Sequence, residues 1–263
     1  MINSESSLNT NTIYRYYSAN DPSQRYVDGF DNYLFYTKTK NENKALLESG
    51  INPISGKFND NRVPAILLHS NPIKAGTEDT PWQDIIDADN GYVKYFGDNK
   101  SNSFDSNTPR NKKLIEQYNI QNQFDVNKRK LASPIIIFEN ITVNGVSKGY
   151  KKFIGYGIIS KVQYITQFDS ETNKYFPNYV FDIILLNLDN EQFDWKWISD
   201  RRNNTLNIDQ TLNNAPNSWK KWLKKSNYSF TDIQRKVYKS SIILSKNQKT
   251  KYDKTIKDIY DYY

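Results

Sequence analysis

The sequence predicts an α+β domain: a curved, partly closed β-barrel with flanking helices and a helical C-terminal extension. Three observations carry that expectation. Apolar runs of strand length recur between turn signals, with few long helical patterns among them. Gly155 and Gly157 stand inside a strand pattern, where glycine marks a bulge or a tight bend and therefore curvature. Near Asn213 the character changes, and aromatic and basic residues take up helical spacing.

Taken in order, Met1 to Thr12 is polar and is expected to be mobile. Ile13–Tyr17 and Tyr33–Lys38 read as short aromatic strands, or as a strand and a helix start. Ala45–Gly50 reads as a brief helix stopped by Gly50. Arg62–His69 is an apolar strand with Pro64 near its start, where a missing N–H is tolerated. Tyr92–Phe96 is a short strand after the turn signal Asp89-Asn90-Gly91. Ser101–Pro109 is a loop, and Asn111–Ile120 has helical spacing at Leu114, Ile115 and Tyr118. Ser133–Phe138, Tyr150–Tyr164 and Asn178–Leu188 are strands, with Asn144-Gly145 as a hairpin turn. Asn217–Lys225 and Ser229–Tyr238 read as helices, the second capped at Thr231-Asp232, and Lys246–Tyr263 is charged and helical in pattern. The expected division is a domain over residues 1–215 and a helical extension over 216–263.

Composition narrows the chemistry. The chain has 263 residues, a net charge of +7 and 14% aromatics, which suits a partner offering phosphates and flat bases. An AT-rich genome would also enrich Lys, Asn, Tyr and Ile, so composition alone does not decide this. The absence of cysteine excludes disulfides, thiolate zinc sites and a cysteine nucleophile. A single histidine, His69, excludes two-histidine metal motifs. No apolar run of about 18 residues occurs, and no apolar signal core opens the chain, so a cytoplasmic location is expected. There is no Walker loop or dinucleotide fingerprint. Gln234-Arg235-Lys236 fits the tripeptide of a metal-dependent nuclease, yet it lies on a helical pattern without a preceding strand. No catalytic residue, metal or cofactor is therefore expected.

The stretch Thr80-Pro-Trp-Gln-Asp-Ile-Ile-Asp-Ala-Asp-Asn-Gly-Tyr-Val-Lys-Tyr-Phe-Gly-Asp-Asn-Lys100 concentrates the functional signal. Trp82, Tyr92 and Tyr95 stand among Asp84, Asp87 and Asp89. Aromatics beside a turn are usually core packing, and acids there usually keep a loop soluble. The same parts also meet the needs of a modified-base reader. A base must leave the stack, aromatic faces must replace the lost stacking, and a carboxylate can accept from the cytosine N4 amino group.

This stretch resembles the signature of the N-terminal recognition domain of AspBHI-type (MspJI-like) modification-dependent restriction endonucleases. Ala215-Pro-Asn-Ser-Trp-Lys-Lys-Trp222 resembles the end of that domain, and the likeness extends over about residues 25–245. The resemblance implies an SRA-like fold that flips 5-methylcytosine out of duplex DNA into an aromatic pocket. It implies Trp82 and Tyr95 as stacking rings and Asp84 as the base-reading acid, with Tyr92 nearby. Asp84 comes one residue earlier than in the usual SRA pattern, which leaves Asp87 as a rival. His69 matches a position whose following loop meets DNA, which brings in Ser70, Asn71 and Lys74. Lys94, Asn99, Lys100, Arg110, Lys112 and Lys113 are expected to contact DNA around the site, joined by Arg201 and Arg202. The family's full-length enzymes append a Mrr-like nuclease domain, so a nuclease domain or subunit is the expected partner and this chain corresponds to the recognition half. Three other readings stay open: a B3-like or SRA-like domain that reads an unmodified sequence or another modification without flipping, a metal-dependent nuclease with an unrecognised site, and a structural or assembly module whose helical tail from Trp219 to Tyr263 mediates dimers.

Overall fold

The computed structural model describes residues 7–16, 29–33, 46–56, 58–77, 81–100, 103 and 105–237. The expectations for residues 34–38 and for the helix over 246–263 lie outside them. The first described residues are part of a sheet. Strand β1 (Ser7–Asn9) pairs antiparallel with β10 (Gln192–Asp194), setting Leu8 opposite Phe193, and both side chains are fully buried. Of the stretch expected to be mobile, residues 7–12 are held instead, because Leu8 supplies an apolar anchor, and residues 1–6 lie outside the described residues.

The main sheet has eight strands. They are β2 (Ile13–Arg15), β3 (Ile51–Pro53), β4 (Ile66–Ser70), β5 (Ile85–Asp87), β6 (Tyr92–Phe96), β7 (Ile135–Asn140), β8 (Tyr150–Asp169) and β9 (Lys174–Leu185). The order is β3-β4-β7-β8-β9-β6-β5, with β2 on β8, and only β4 and β7 run parallel. The outer strands β3 and β5 are not paired with each other, so the sheet is curved but open, not closed into a barrel. Its curl is strong: the Tyr95 hydroxyl on β6 reaches the His69 carbonyl on β4 at 3.4 Å, although three strands separate them in the sheet. The bend comes where the register shifts between Ile137 and Phe138, opposite Gly155 at φ 144°, a backbone state that side chains disfavour.

Strand alternation sorts the apolar residues into two cores. On one side Leu67, Ile136, Phe138, Phe153 and Tyr156 meet an aromatic cluster containing Trp195, Trp197, Trp219 and Trp222. On the other side Ile66, Leu68, Ile135, Ile137, Val93 and Tyr95 form an aliphatic core, joined by Leu114 from α1 (Pro109–Gln121). Thr108 caps α1 by accepting from the Asn111 N–H. A short α2 (Val126–Arg129) follows.

The late segment is built into the first core. α3 (Lys196–Arg202) and the single turn α4 (Ile208–Thr211) lead to α5 (Asn217–Lys225). Trp219 and Trp222 on α5 are fully buried, and the Trp197 and Trp219 rings meet at 5.1 Å. The boundary expected after residue 215 therefore falls inside continuous packing. Arg201 is buried, and its guanidinium donates to the carbonyls of Pro64 at 2.7 Å, Ala132 at 2.8 Å and Val63 at 3.1 Å. It ties loops together and offers nothing to DNA, while Arg202 beside it is partly buried. The expected helix from Ser229 is only α6 (Phe230–Ile233), with Thr231 and Asp232 inside it. Beyond it the chain is extended: Arg235 N donates to Leu185 O and Val237 N to Asp89 O. Residues 46–50 form no helix either and lead directly into β3. Among the described residues no helix is long and apolar enough to cross a membrane.

Candidate nucleic-acid interface

The β5–β6 hairpin carries most of the expected site. Asp87 builds its turn, accepting from Asn90 N at 3.2 Å and Asn90 Nδ2 at 2.8 Å. Gly91, at φ 67°, completes it, and a Cβ there would meet the Arg235 carbonyl. The register pairs Ile85 with Lys94 and Asp87 with Tyr92. That alternation sends Ile86, Val93 and Tyr95 inward and Ile85, Asp87, Tyr92 and Lys94 outward.

Asp84, just ahead of β5, lies across from Tyr95 on the inner side. Its Oδ1 accepts the Phe96 N–H at 2.9 Å, and the Ser70 side chain hydrogen-bonds it as well. Burial pushes its carboxyl up to about 6, against those two hydrogen bonds, and Glu139 adds a like charge. Burial likewise raises Glu139. The Tyr95 ring is 4% exposed, and burial holds its hydroxyl well above the usual range. Trp82 is half-buried on the segment leading into β5 and makes no ring contact with a described residue.

The outer side is a separate cluster. Tyr92 Oη and Lys94 Nζ both donate to Asp182 Oδ1 at 2.7 Å. Strand parity thus separates Tyr92 and Lys94 from the Asp84 side, against the expectation that Tyr92 joins Tyr95. The same parity separates the rival acids, since Asp87 faces outward and is spent on its turn.

Residues 11–234 match the model of the family described as restriction endonuclease AspBHI N-terminal. The chain belongs to that family. Among solved structures it is similar to the MspJI restriction endonuclease in complex with a 27-mer oligonucleotide, at 31% identity and a TM-score of 0.80. The match covers 98% of this chain and 61% of that one, so the chain spans about three-fifths of the MspJI chain. The DNA recognition domain of the cytosine modification-dependent restriction endonuclease LpnPI shares its fold at 18% identity and a TM-score of 0.63, over 90% of this chain and 94% of that one. The DNA modification-dependent restriction endonuclease AspBHI does so at 16% and 0.62, over 91% and 55%. No curated protein matches the chain.

In this AspBHI-family member the remaining expected contacts scatter. Ser70 turns toward Asp84, while its neighbour His69 turns to the opposite face of β4 and meets Lys151 Nζ at 2.6 Å. Asn71 and Lys74 line a cavity of about 650 Å³ beside that pair. Asn99 is 1% exposed and donates to the carbonyls of Ser103 and Pro177, so it holds a loop instead of meeting a ligand. Lys100 is exposed. Arg110 stands 3.8 Å from Asp98 at the start of α1, and Lys113 pairs with Glu116 at 2.8 Å along its exposed side. Lys112 lies in an open groove beside α1 with Asn107 and Tyr179. Gln234-Arg235-Lys236 is no nuclease motif in space. Gln234 Nε2 donates to Asn90 O at 2.8 Å, and Arg235 binds Glu191 and the Ala88 carbonyl, clamping the hairpin turn. Among the described residues no three His, Asp or Glu side chains group to hold a metal.

Sequence reading missed Glu139, Asn140 and Lys151. The signal for Lys151 was present. It lies two residues before Phe153 on an apolar strand, so alternation puts it on the buried aromatic side.

Proposed function

We infer that this chain is the DNA-recognition domain of a modification-dependent restriction system, reading 5-methylcytosine in duplex DNA by flipping the base toward Asp84. The observation that carries the reading is the Asp84 carboxylate. It is desolvated, oriented by the Phe96 N–H and Ser70, and set across from an immobile tyrosine. Family membership and likeness to MspJI, solved with an oligonucleotide, support DNA as the partner. An ionised carboxylate accepts from cytosine N4, and thymine offers no such donor. Trp82, which makes no ring contact with a described residue, stacks on the base, while Tyr95, buried in the aliphatic core, backs the site instead of offering a free face. Flipping costs a few kcal/mol, and stacking returns roughly 1–3 kcal/mol per ring. Exposed lysines and Arg110 meet the phosphates, and cleavage belongs to a nuclease domain or subunit acting with this one.

The test compares matched duplexes with and without 5-methylcytosine by fluorescence anisotropy, with a base-flipping probe beside the target. The wild-type chain is expected to prefer the methylated duplex, to report flipping, and to lose affinity steeply as salt rises. Folded Asp84→Asn is expected to keep most affinity and lose its preference for 5-methylcytosine over thymine at the target position, the pair that N4 distinguishes. An undiminished preference in that variant would remove Asp84 from the reading.

A further inference from the structure

Among the described residues, Lys151 is a cation buried without an anionic partner. Only 5% of it is exposed. Its ammonium donates to two neutral groups, His69 Nε2 at 2.6 Å and Asn140 Oδ1 at 2.8 Å, and lies 6.0 Å from the centre of the Tyr16 ring, so its three described contacts are all uncharged. Burial pulls its pKa down to about 8, so it is still charged at neutral pH. Burial and this neighbouring charge drive His69 to about 3, which keeps the imidazole neutral and able to accept at Nε2. Among the described residues no carboxylate forms an ion pair with Lys151. An uncompensated buried charge is costly, and folds that retain one generally use it.

The cavity of about 650 Å³ beside Lys151 is also lined by Lys74, Lys148, Asn71 and Asn140, with Glu48 as the one acid among the described lining residues. Its charge balance favours an anion. Its place narrows which anion. His69 and Ser70 are consecutive on β4 and face opposite ways, one toward Lys151 and the other toward Asp84. The His69 carbonyl also receives the Tyr95 hydroxyl. Cavity and base-reading site therefore share one strand end. The loop from Asn71 to Lys74 leaves that strand end and lines the cavity.

We propose that this cavity seats one phosphodiester of the DNA strand bearing the modified base, with Lys151 as the buried contact and Lys74 and Lys148 at the rim. The proposal rests on the DNA-recognition reading above. Lys151 then fixes the register of the strand and leaves the choice of base to Asp84.

The experiment measures binding of the full chain to a methylated duplex and to duplexes with single neutral methylphosphonates placed around the methylated base. In the wild type one position is expected to cost about tenfold or more in affinity, the scale of a lost charge-assisted hydrogen bond. Lys151→Gln is expected to bind the parent duplex about tenfold more weakly, to be indifferent to that position, and to show a salt slope shallower by about 0.9. Its methylated-to-unmethylated ratio should stay that of the wild type. If Lys151→Gln does not fold, the exposed pair Lys74→Gln/Lys148→Gln is read at the same position and should lose part of the penalty. A wild type that binds no duplex overturns both readings. Penalties that are the same at every position in wild type and variant overturn the phosphate seat alone. A wild type melting higher in inorganic phosphate, with no position coupled to Lys151, assigns the cavity to a free phosphate and also overturns the seat.

Discussion

The two faces of the β5–β6 hairpin carry almost the same residues and put them to different uses. Each has one aspartate and one tyrosine: Asp84 and Tyr95 inward, Asp87 and Tyr92 outward. Inward, the acid is desolvated and the ring is locked in an aliphatic core. Outward, the acid makes a turn, and the tyrosine shares Asp182 with Lys94. There the hydrogen bond to Asp182 raises Lys94, and Asp182 is lowered because the bonds from Lys94 and Tyr92 outweigh its burial. A charge fully answered by its neighbours stabilises locally and has nothing left for a ligand. Residue type does not separate the two faces; strand parity does.

The largest test of that contrast is truncation of the two rings. Tyr95→Ala is expected to cost about 3–5 kcal/mol of stability, as for other large buried aromatics, whereas Tyr92→Ala should cost about 1 kcal/mol. Denaturant unfolding measures both, and equal losses would break the distinction between the faces. Tyr95→Ala is therefore a poor binding probe, and Trp82→Ala, expected to lose about 1–3 kcal/mol of DNA affinity in a folded protein, is the better one.

Next comes pH. Folded Asp84 keeps its proton to about pH 6, while the unfolded carboxyl loses it near 3.8. This raised value favours folding at low pH, and the advantage disappears as pH rises from about 4 to 6. The loss is on the order of 3 kcal/mol, and Asp84→Asn should abolish it and be more stable than wild type at pH 8. Binding should run the other way. Affinity for methylated DNA should rise as pH climbs through about 6, because the ionised form accepts from N4. Glu139 and Tyr95 are the titratable groups facing Asp84, so Glu139→Gln should shift that midpoint downward. Melting and binding curves that move together with pH would contradict the assignment.

The smallest effects belong to the outer face. Lys94→Gln removes a partly exposed pair and should change stability by about 1 kcal/mol or less. Asp87→Ala should cost about 1 kcal/mol through its turn. Neither should alter the preference for methylated DNA, and a lost preference in Asp87→Ala would restore it as the reading acid.

Much of the sheet was legible because its strands follow period-two alternation between strong turn signals. The strand expected over Arg62–His69 forms over Ile66–Ser70 and that over Ser133–Phe138 over Ile135–Asn140, each overlapping the expected run, and Asn144-Gly145 turns as expected with φ of 49° and 78°. The errors came from tertiary context. Leu8 looked like one apolar residue in a polar tail until Phe193 covered it. The Lys-rich Trp219–Trp222 segment looked like an appendage, yet its rings close the first core. Arg201 looked like a surface cation, and three distant carbonyls bury it. At the site, alternation alone could have separated Tyr92 from Tyr95, since three positions apart on a strand means opposite faces. The pairing of Ser70 with Asp84, and of His69 with Lys151, depends on the curl of the whole sheet, which no local pattern encodes.

The clamp on the hairpin turn has a consequence in the order of synthesis. Arg235 binds the carbonyl of Ala88, 147 residues earlier in the chain, and Val237 bonds to Asp89. At elongation rates of roughly 5–20 residues per second the turn waits on the order of ten seconds for its partner. Through that interval the hairpin bearing Asp84 is made but not locked. Residues 233–237 complete it as they close the aromatic core, so in a nascent chain the hairpin face bearing Asp84 is locked only after those residues have left the ribosome.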